Sequence, residues 1–179
     1  MASPFESAAT PPRSGQAVRV DEAPLDEARA LLRTCCGSSR WVGRMVQRRP
    51  FGTHEAMIAA SREVWFSLTP ADWQEAFADH PRIGDRDALK KKFAETRHLA
   101  SQEQAGVAGA SDDVLDALAR GNREYERRFG YIFIVCATGL DAGQMLARLN
   151  ARLVNDPSTE LQVAAQEQSR IMELRLNKL

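Results

Sequence analysis

From about residue 24 to the C-terminus, apolar residues recur mostly at spacings of three and four, which puts them on one face of an amphipathic helix. No series of alternating segments breaks the pattern. The spacing predicts helices over 24–35, 38–48, 53–67, 70–78, 85–97, 101–107, 111–129, 141–153 and 157–177. Thr53, Thr69, Ser111 and Asp156 stand where four of these begin, each offering a side-chain oxygen to first-turn amides that have no partner within the helix. Pro70 and Pro157 follow two of the caps, at the position where a missing N–H is harmless. Val114, Leu118, Tyr125 and Phe129 share one face, and Ala142, Leu146, Leu149 and Leu153 repeat the arrangement in the next helix. The expected fold is all-α, a single-domain helical bundle of about eight or nine helices.

Two stretches fall outside this pattern. Tyr131-Ile-Phe-Ile-Val-Cys-Ala137, bracketed by Gly130 and Gly139, is a continuous apolar run that suits either a buried strand or a buried helical turn, and it is the one irregular segment expected, near 130–139. If it is extended without a ladder, its backbone N–H and C=O groups need other partners, and a polar ligand is one candidate. Residues 1–22 contain Pro4, Pro11, Pro12, Ser14 and Gly15 with almost no apolar pattern. They are expected to form a flexible leader ahead of a domain spanning 23–179.

Composition narrows the function classes. The chain has 179 residues, 44% hydrophobic and 27% charged, enough for one domain with an ordinary core. Lys plus Arg (24) balances Asp plus Glu (24), so no overall basic field exists to hold nucleic acid or an anionic membrane, and neither partner is expected. The run 131–137 is far shorter than a membrane-spanning helix, and Met1 to Thr10 lacks the charged-then-apolar order of a secretory signal; a cytoplasmic location is expected. Cys35 and Cys36 are adjacent and the third cysteine, Cys136, sits in the apolar run, so reduced thiols are expected. His54, His80 and His98 lie 26 and 18 residues apart with no acidic companion at ligand spacing, so no metal is expected. Lys90-Lys91-Lys92 reads as a solvated helix face.

Three places could carry chemistry. His80-Pro-Arg-Ile-Gly84 lies between an apolar helix containing Trp73 and Phe77 and a charged one. The following proline restricts the backbone of His80, and imidazole can both donate and accept protons near neutrality; the same residue would also serve as a helix cap. Ser101-Gln-Glu-Gln104 has the form of a capping box. Glu103 then falls in a first turn, where the helix's positive end keeps a carboxylate ionised, whether to charge an imidazole or only to complement the dipole. Leu161, Ala164, Gln168 and Ile171 form a stripe whose next step is Arg175. A buried guanidinium must face oxygen atoms, whereas a snorkelling one covers the core edge with its stem.

Taken in order, His80-Pro-Arg-Ile-Gly84, Glu103-Gln-Ala-Gly106, Arg128-Phe-Gly-Tyr-Ile-Phe-Ile-Val-Cys-Ala-Thr-Gly139 and Leu174-Arg-Leu176 resemble the 2-oxo-4-hydroxy-4-carboxy-5-ureidoimidazoline (OHCU) decarboxylases, over about residues 24–179. Cys35-Cys-Gly-Ser-Ser-Arg-Trp41 and Arg49-Pro-Phe51 resemble the bacterial members. The resemblance implies a mostly helical, cofactor-free and commonly homodimeric enzyme of urate breakdown, acting on a small-molecule ureide to form (S)-allantoin and CO2. It implies that His80 is the catalytic proton donor with Pro81 beside it, and that Glu103 and Gln104 meet the substrate. Phe133, Ile134, Val135, Cys136 and Ala137 match the segment whose backbone lines the site, and Arg175 matches the arginine of the last helix. Ala100 stands where many relatives carry a serine three residues before the glutamate, so the substrate contact expected there lacks its hydroxyl. Ile132 replaces a familiar proline.

The implied substrate carries hydroxyl and carboxylate on one ring carbon beside a C=N bond, so the electrons released with CO2 can flow into that bond without an external sink. Two other readings fit the same residues. One is a helical interaction module in which the polar groups merely cap helices. The other is a ureide-ring hydrolase in which His80 and Glu103 activate water, opening the ring without releasing CO2.

Overall fold

The computed structural model describes residues 16–80 and 112–179, which form eight helices with no strand among them. In chain order these are α1 (Gln16–Glu22), α2 (Leu25–Cys35), α3 (Ser39–Gln47), α4 (His54–Phe66), α5 (Pro70–Ala78), α6 (Asp112–Phe129), α7 (Ala142–Leu153) and α8 (Pro157–Leu176). The all-α expectation holds. From α2 onward each described helix begins and ends within one residue of the limits expected from the sequence, because capping chemistry sets the ends. Thr53 accepts from the Ala56 amide at 3.1 Å, Thr69 and Asp72 form a reciprocal capping box, and Asp156 accepts from the Ser158 and Thr159 amides at 3.0 Å. Ser38 and Asp141 cap α3 and α7 in the same way. The helices expected over 85–97 and 101–107, and the cap Ser111, lie outside the described residues.

Helical structure starts earlier than the leader expected over 1–22 implies. α1 occupies residues 16–22, Val20 is fully buried, and the Asp21 carboxylate accepts from the amides of Phe51 and Gly52, both at 2.9 Å. A helix this short offers no repeat from which a period can be read.

α8 is the axis of the bundle: α2, α4 and α5 all pack against it, and α3 fills the angle between α2, α4 and α5. Each tryptophan buries its ring and places its N–H on a carbonyl. Trp41 donates to Ser61 at 3.2 Å, Trp65 to Ala165 of α8 at 2.8 Å, and Trp73 to Trp65 at 2.9 Å. α6 and α7 form a hairpin so closely packed that a Cβ at Gly121 would lie 2.6 Å from Leu149 Cδ2. Tyr131 ties this hairpin to the rest, its ring centroid 5.2 Å from Phe77 of α5 and 5.9 Å from Tyr125 of α6. No described helix is long and apolar enough to cross a membrane.

Candidate active site

The residues between α6 and α7 adopt neither helix nor strand. Gly130 and Gly139, with φ of 79° and 76°, turn the chain at either end in a conformation that side-chain-bearing residues rarely adopt. Phe133, Ile134 and Val135 are buried, while Cys136 and Ala137 are partly exposed. The missing ladder is replaced in part by charged side chains. Arg152 Nη1 donates to the Ile134 carbonyl at 2.7 Å, the Glu167 carboxylate accepts from the Cys136 amide at 2.7 Å, and the Ala137 carbonyl accepts from the Leu140 amide at 3.1 Å. The backbone groups of Phe133 and Val135 form no hydrogen bond with any described residue.

Arg152 belongs to a buried network that fixes this segment. Its Nε lies 2.7 Å from Glu160 Oε1, Tyr125 donates its hydroxyl to the same oxygen, and Asn155 Nδ2 donates to Oε2 at 2.7 Å. The guanidinium sits over the Phe133 ring, 4.6 Å from its centroid. Burial pushes the Tyr125 hydroxyl far above its usual value, so it stays neutral, donating to Glu160 and accepting from Arg152 Nη2 at 3.2 Å.

His80 directly follows Asp79, the C-cap of α5, and its amide is held by the Phe77 carbonyl at 3.2 Å. Its Nε2 lies 2.6 Å from Oε1 of Gln168, a fully buried residue of α8. Asp79 packs against Gly37 and pairs with Arg33 Nη2, 3.4 Å away, so the turn carrying His80 touches α2. The imidazole and the apolar segment therefore meet consecutive residues of one helix, Gln168 and Glu167.

Arg175 lies seven residues beyond Gln168, nearly on the same face and about 10 Å further along the axis. Its Nη1 donates to the Cys35 carbonyl at 3.2 Å, meeting the requirement that an arginine on an apolar stripe face oxygen. Cys35, Cys36 and Cys136 are free thiols; burial pushes Cys36 up to about 12 and raises Cys35 as well, so neither is a thiolate near neutrality. Pro81, Ala100, Glu103 and Gln104 lie outside the described residues. An open depression of about 330 Å³ is lined by Cys136, Thr138, Arg170, Glu173, Leu174 and Asn177; it shares Cys136 with the expected site but includes neither His80 nor Arg175.

Sequence reasoning passed over Gln168, Glu167, Arg152 and Glu160. Gln168 carried the same signal that singled out Arg175, a polar residue on an apolar stripe. Glu160 and Arg152 occupy the first turn of α8 and the last turn of α7, where each looks like an ordinary complement to a helix dipole.

Residues 21–177 match the family model described as OHCU decarboxylase. The chain is 38% identical over 148 residues to the uric acid degradation bifunctional protein TTL of Arabidopsis thaliana, covering 82% of this chain and 45% of that protein. It thus spans less than half the length of the plant relative. It is 32% identical over 131 residues to the 2-oxo-4-hydroxy-4-carboxy-5-ureidoimidazoline decarboxylase of Amia calva, covering 73% of this chain and 74% of that one. A crystal structure of an OHCU decarboxylase in the presence of (S)-allantoin is similar with a TM-score of 0.67 and 35% identity, covering 82% of this chain and 94% of the other.

Proposed function

The chain belongs to the OHCU decarboxylase family, and from that premise we propose that it converts 2-oxo-4-hydroxy-4-carboxy-5-ureidoimidazoline to (S)-allantoin and CO2 in urate breakdown. Within the structure, the observation that carries this reading is that α8 anchors both groups, His80 through Gln168 and the 133–137 segment through Glu167. An acid, and backbone groups at Phe133 and Val135 without partners among the described residues, are what a proton-requiring reaction on a ureide needs.

In the reaction, the bond between the carboxylate and the hydroxyl-bearing ring carbon breaks, and its electron pair forms a C=C bond while the neighbouring C=N electrons move onto nitrogen. Protonated His80 supplies the proton that this nitrogen or the ureido-bearing carbon takes up. Loss of the hydroxyl proton then leaves the ring carbonyl of allantoin, and delivery of a proton to one face of the ureido-bearing carbon sets the S configuration. Glu103 supplies negative charge that favours the imidazolium, and Gln104 and Pro81 contribute to substrate binding.

Phe133 and Val135 present both N–H and C=O groups without described partners, matching the alternating donors and acceptors of a ureide. Arg175 acts on ring or ureido oxygens. Clamping the departing carboxylate would stabilise the ground state more than the transition state and slow the reaction. The chain works as a homodimer in the cytoplasm.

Trapping of released CO2 from freshly generated substrate tests the reaction class. Decarboxylation predicts one equivalent of CO2 per allantoin formed, with the enzyme increasing the rate. Ring opening without CO2 would assign the site to hydrolysis instead.

A further inference from the structure

Gln168 has no exposed surface, and its two polar atoms have unequal surroundings. Oε1 is 2.6 Å from His80 Nε2, whereas Nε2 has no hydrogen-bond partner among the described residues. A buried amide is costly unless its polar atoms are paired, and a leucine or methionine would fill the same volume without that demand. The arrangement is therefore explained by what the satisfied half does. Oε1 is a carbonyl oxygen and can only accept, so the imidazole must be the donor and its proton must sit on Nε2.

We propose that Gln168 is a positioning residue for the decarboxylation, holding the His80 ring through Nε2–H so that the imidazole enters the reaction through its other nitrogen. This rests on the proposed role of His80 as the acid. The geometry suits the task. α8 is braced by α2, α4 and α5, and Trp65 ties its middle to α4 through the Ala165 carbonyl, three residues from Gln168. His80, in contrast, sits just past the end of α5, with its amide on the Phe77 carbonyl. The helix thus lends its rigidity to a ring whose own backbone is at a connection. An uncharged acceptor fixes ring orientation without adding a permanent counter-charge beside the acid.

Two measurements test the proposal. Nitrogen-15 NMR of the imidazoles in the wild-type protein, assigned with His80→Ala, reports the tautomer directly; the proposal predicts that neutral His80 carries its proton on Nε2. Steady-state kinetics follow Gln168→Met, which removes the acceptor, and Gln168→Glu, which keeps one. The methionine variant is expected to lose about tenfold in kcat with KM within about twofold, and the glutamate variant to recover most of the loss. A proton on Nδ1 in neutral His80, or a folded Gln168→Met enzyme with wild-type kcat, overturns the proposal. If Gln168→Met does not fold, the tautomer decides. His80→Ala with full activity would refute the acid assignment instead, while leaving the tautomer measurement to report on the hydrogen bond itself.

Discussion

The Arg152 guanidinium holds the Ile134 carbonyl at 2.7 Å while pairing with Glu160, a carboxylate with no exposed surface. One charged side chain thus joins α7, α8 and the irregular segment that borders the candidate site. Removing it leaves Glu160 buried without its counter-ion and the Ile134 carbonyl without its donor. Arg152→Met is expected to lower unfolding free energy by about 3–5 kcal/mol, the usual result of breaking a buried pair from one side. Urea denaturation checks this, and a loss under about 1 kcal/mol would mean the network is not holding the segment.

Gly37 lies against the residue that precedes His80. A Cβ there would sit 2.3 Å from Asp79 Oδ2 and 2.6 Å from its Cγ, so the Asp79 side chain must move. Gly37→Ala is expected to destabilise the fold by about 1–3 kcal/mol through overpacking, and to reduce kcat by displacing the turn that carries the imidazole. A thermal melt and a rate measurement on the same preparation separate the two effects. Wild-type values in both would show that the turn adjusts freely.

How much of this was legible in the sequence depends on how local each cue is. Helix ends were readable because Thr53, Thr69 and Asp156 each meet an amide two or three residues away. Arg175 stood out as a polar exception on an apolar stripe, and His80 as an imidazole before a proline at a connection between helices. The fixing of the 131–137 segment was not readable, since its partners Arg152 and Glu167 lie 18 and 31 residues from the groups they hold. Gln168 was overlooked for another reason. A neutral amide on an apolar stripe attracts less notice than a guanidinium, although burial makes similar demands of both.

The three thiols should react in a fixed order. Cys35 and Cys36 are buried and raised above their usual values, Cys36 to about 12, whereas Cys136 is partly exposed. Iodoacetamide at about pH 8 is expected to label Cys136 alone in the native protein, and all three in urea. Because Cys136 borders the candidate site, allantoin is expected to slow its labelling. Mass spectrometry of the modified chain reads both results, and native labelling of Cys36 would contradict the burial described.

Asp72 gives a pH-dependent contribution of known sign. Burial alone would raise its value, but hydrogen bonds from the Thr69 hydroxyl and amide, with Arg40 and Arg44 nearby, outweigh it and hold the carboxyl below the usual carboxylate range. A depressed folded value means that its stabilisation is present above the unfolded value and is lost as pH falls through the lower, folded one. Asp72→Asn is therefore expected to lose stability at neutral pH and to show a smaller further loss below about pH 4 than the wild type. Denaturation midpoints across that range decide it, parallel curves being the contrary outcome.

The central claim is that His80 delivers a proton to one face of a decarboxylating ureide. Circular dichroism of freshly generated substrate follows the appearance of (S)-allantoin directly. The account predicts rapid growth of the S signal with the wild-type protein, and with folded His80→Ala only the slow, non-stereoselective background. An S signal growing at the wild-type rate with His80→Ala, or no acceleration by the wild-type protein, would contradict it.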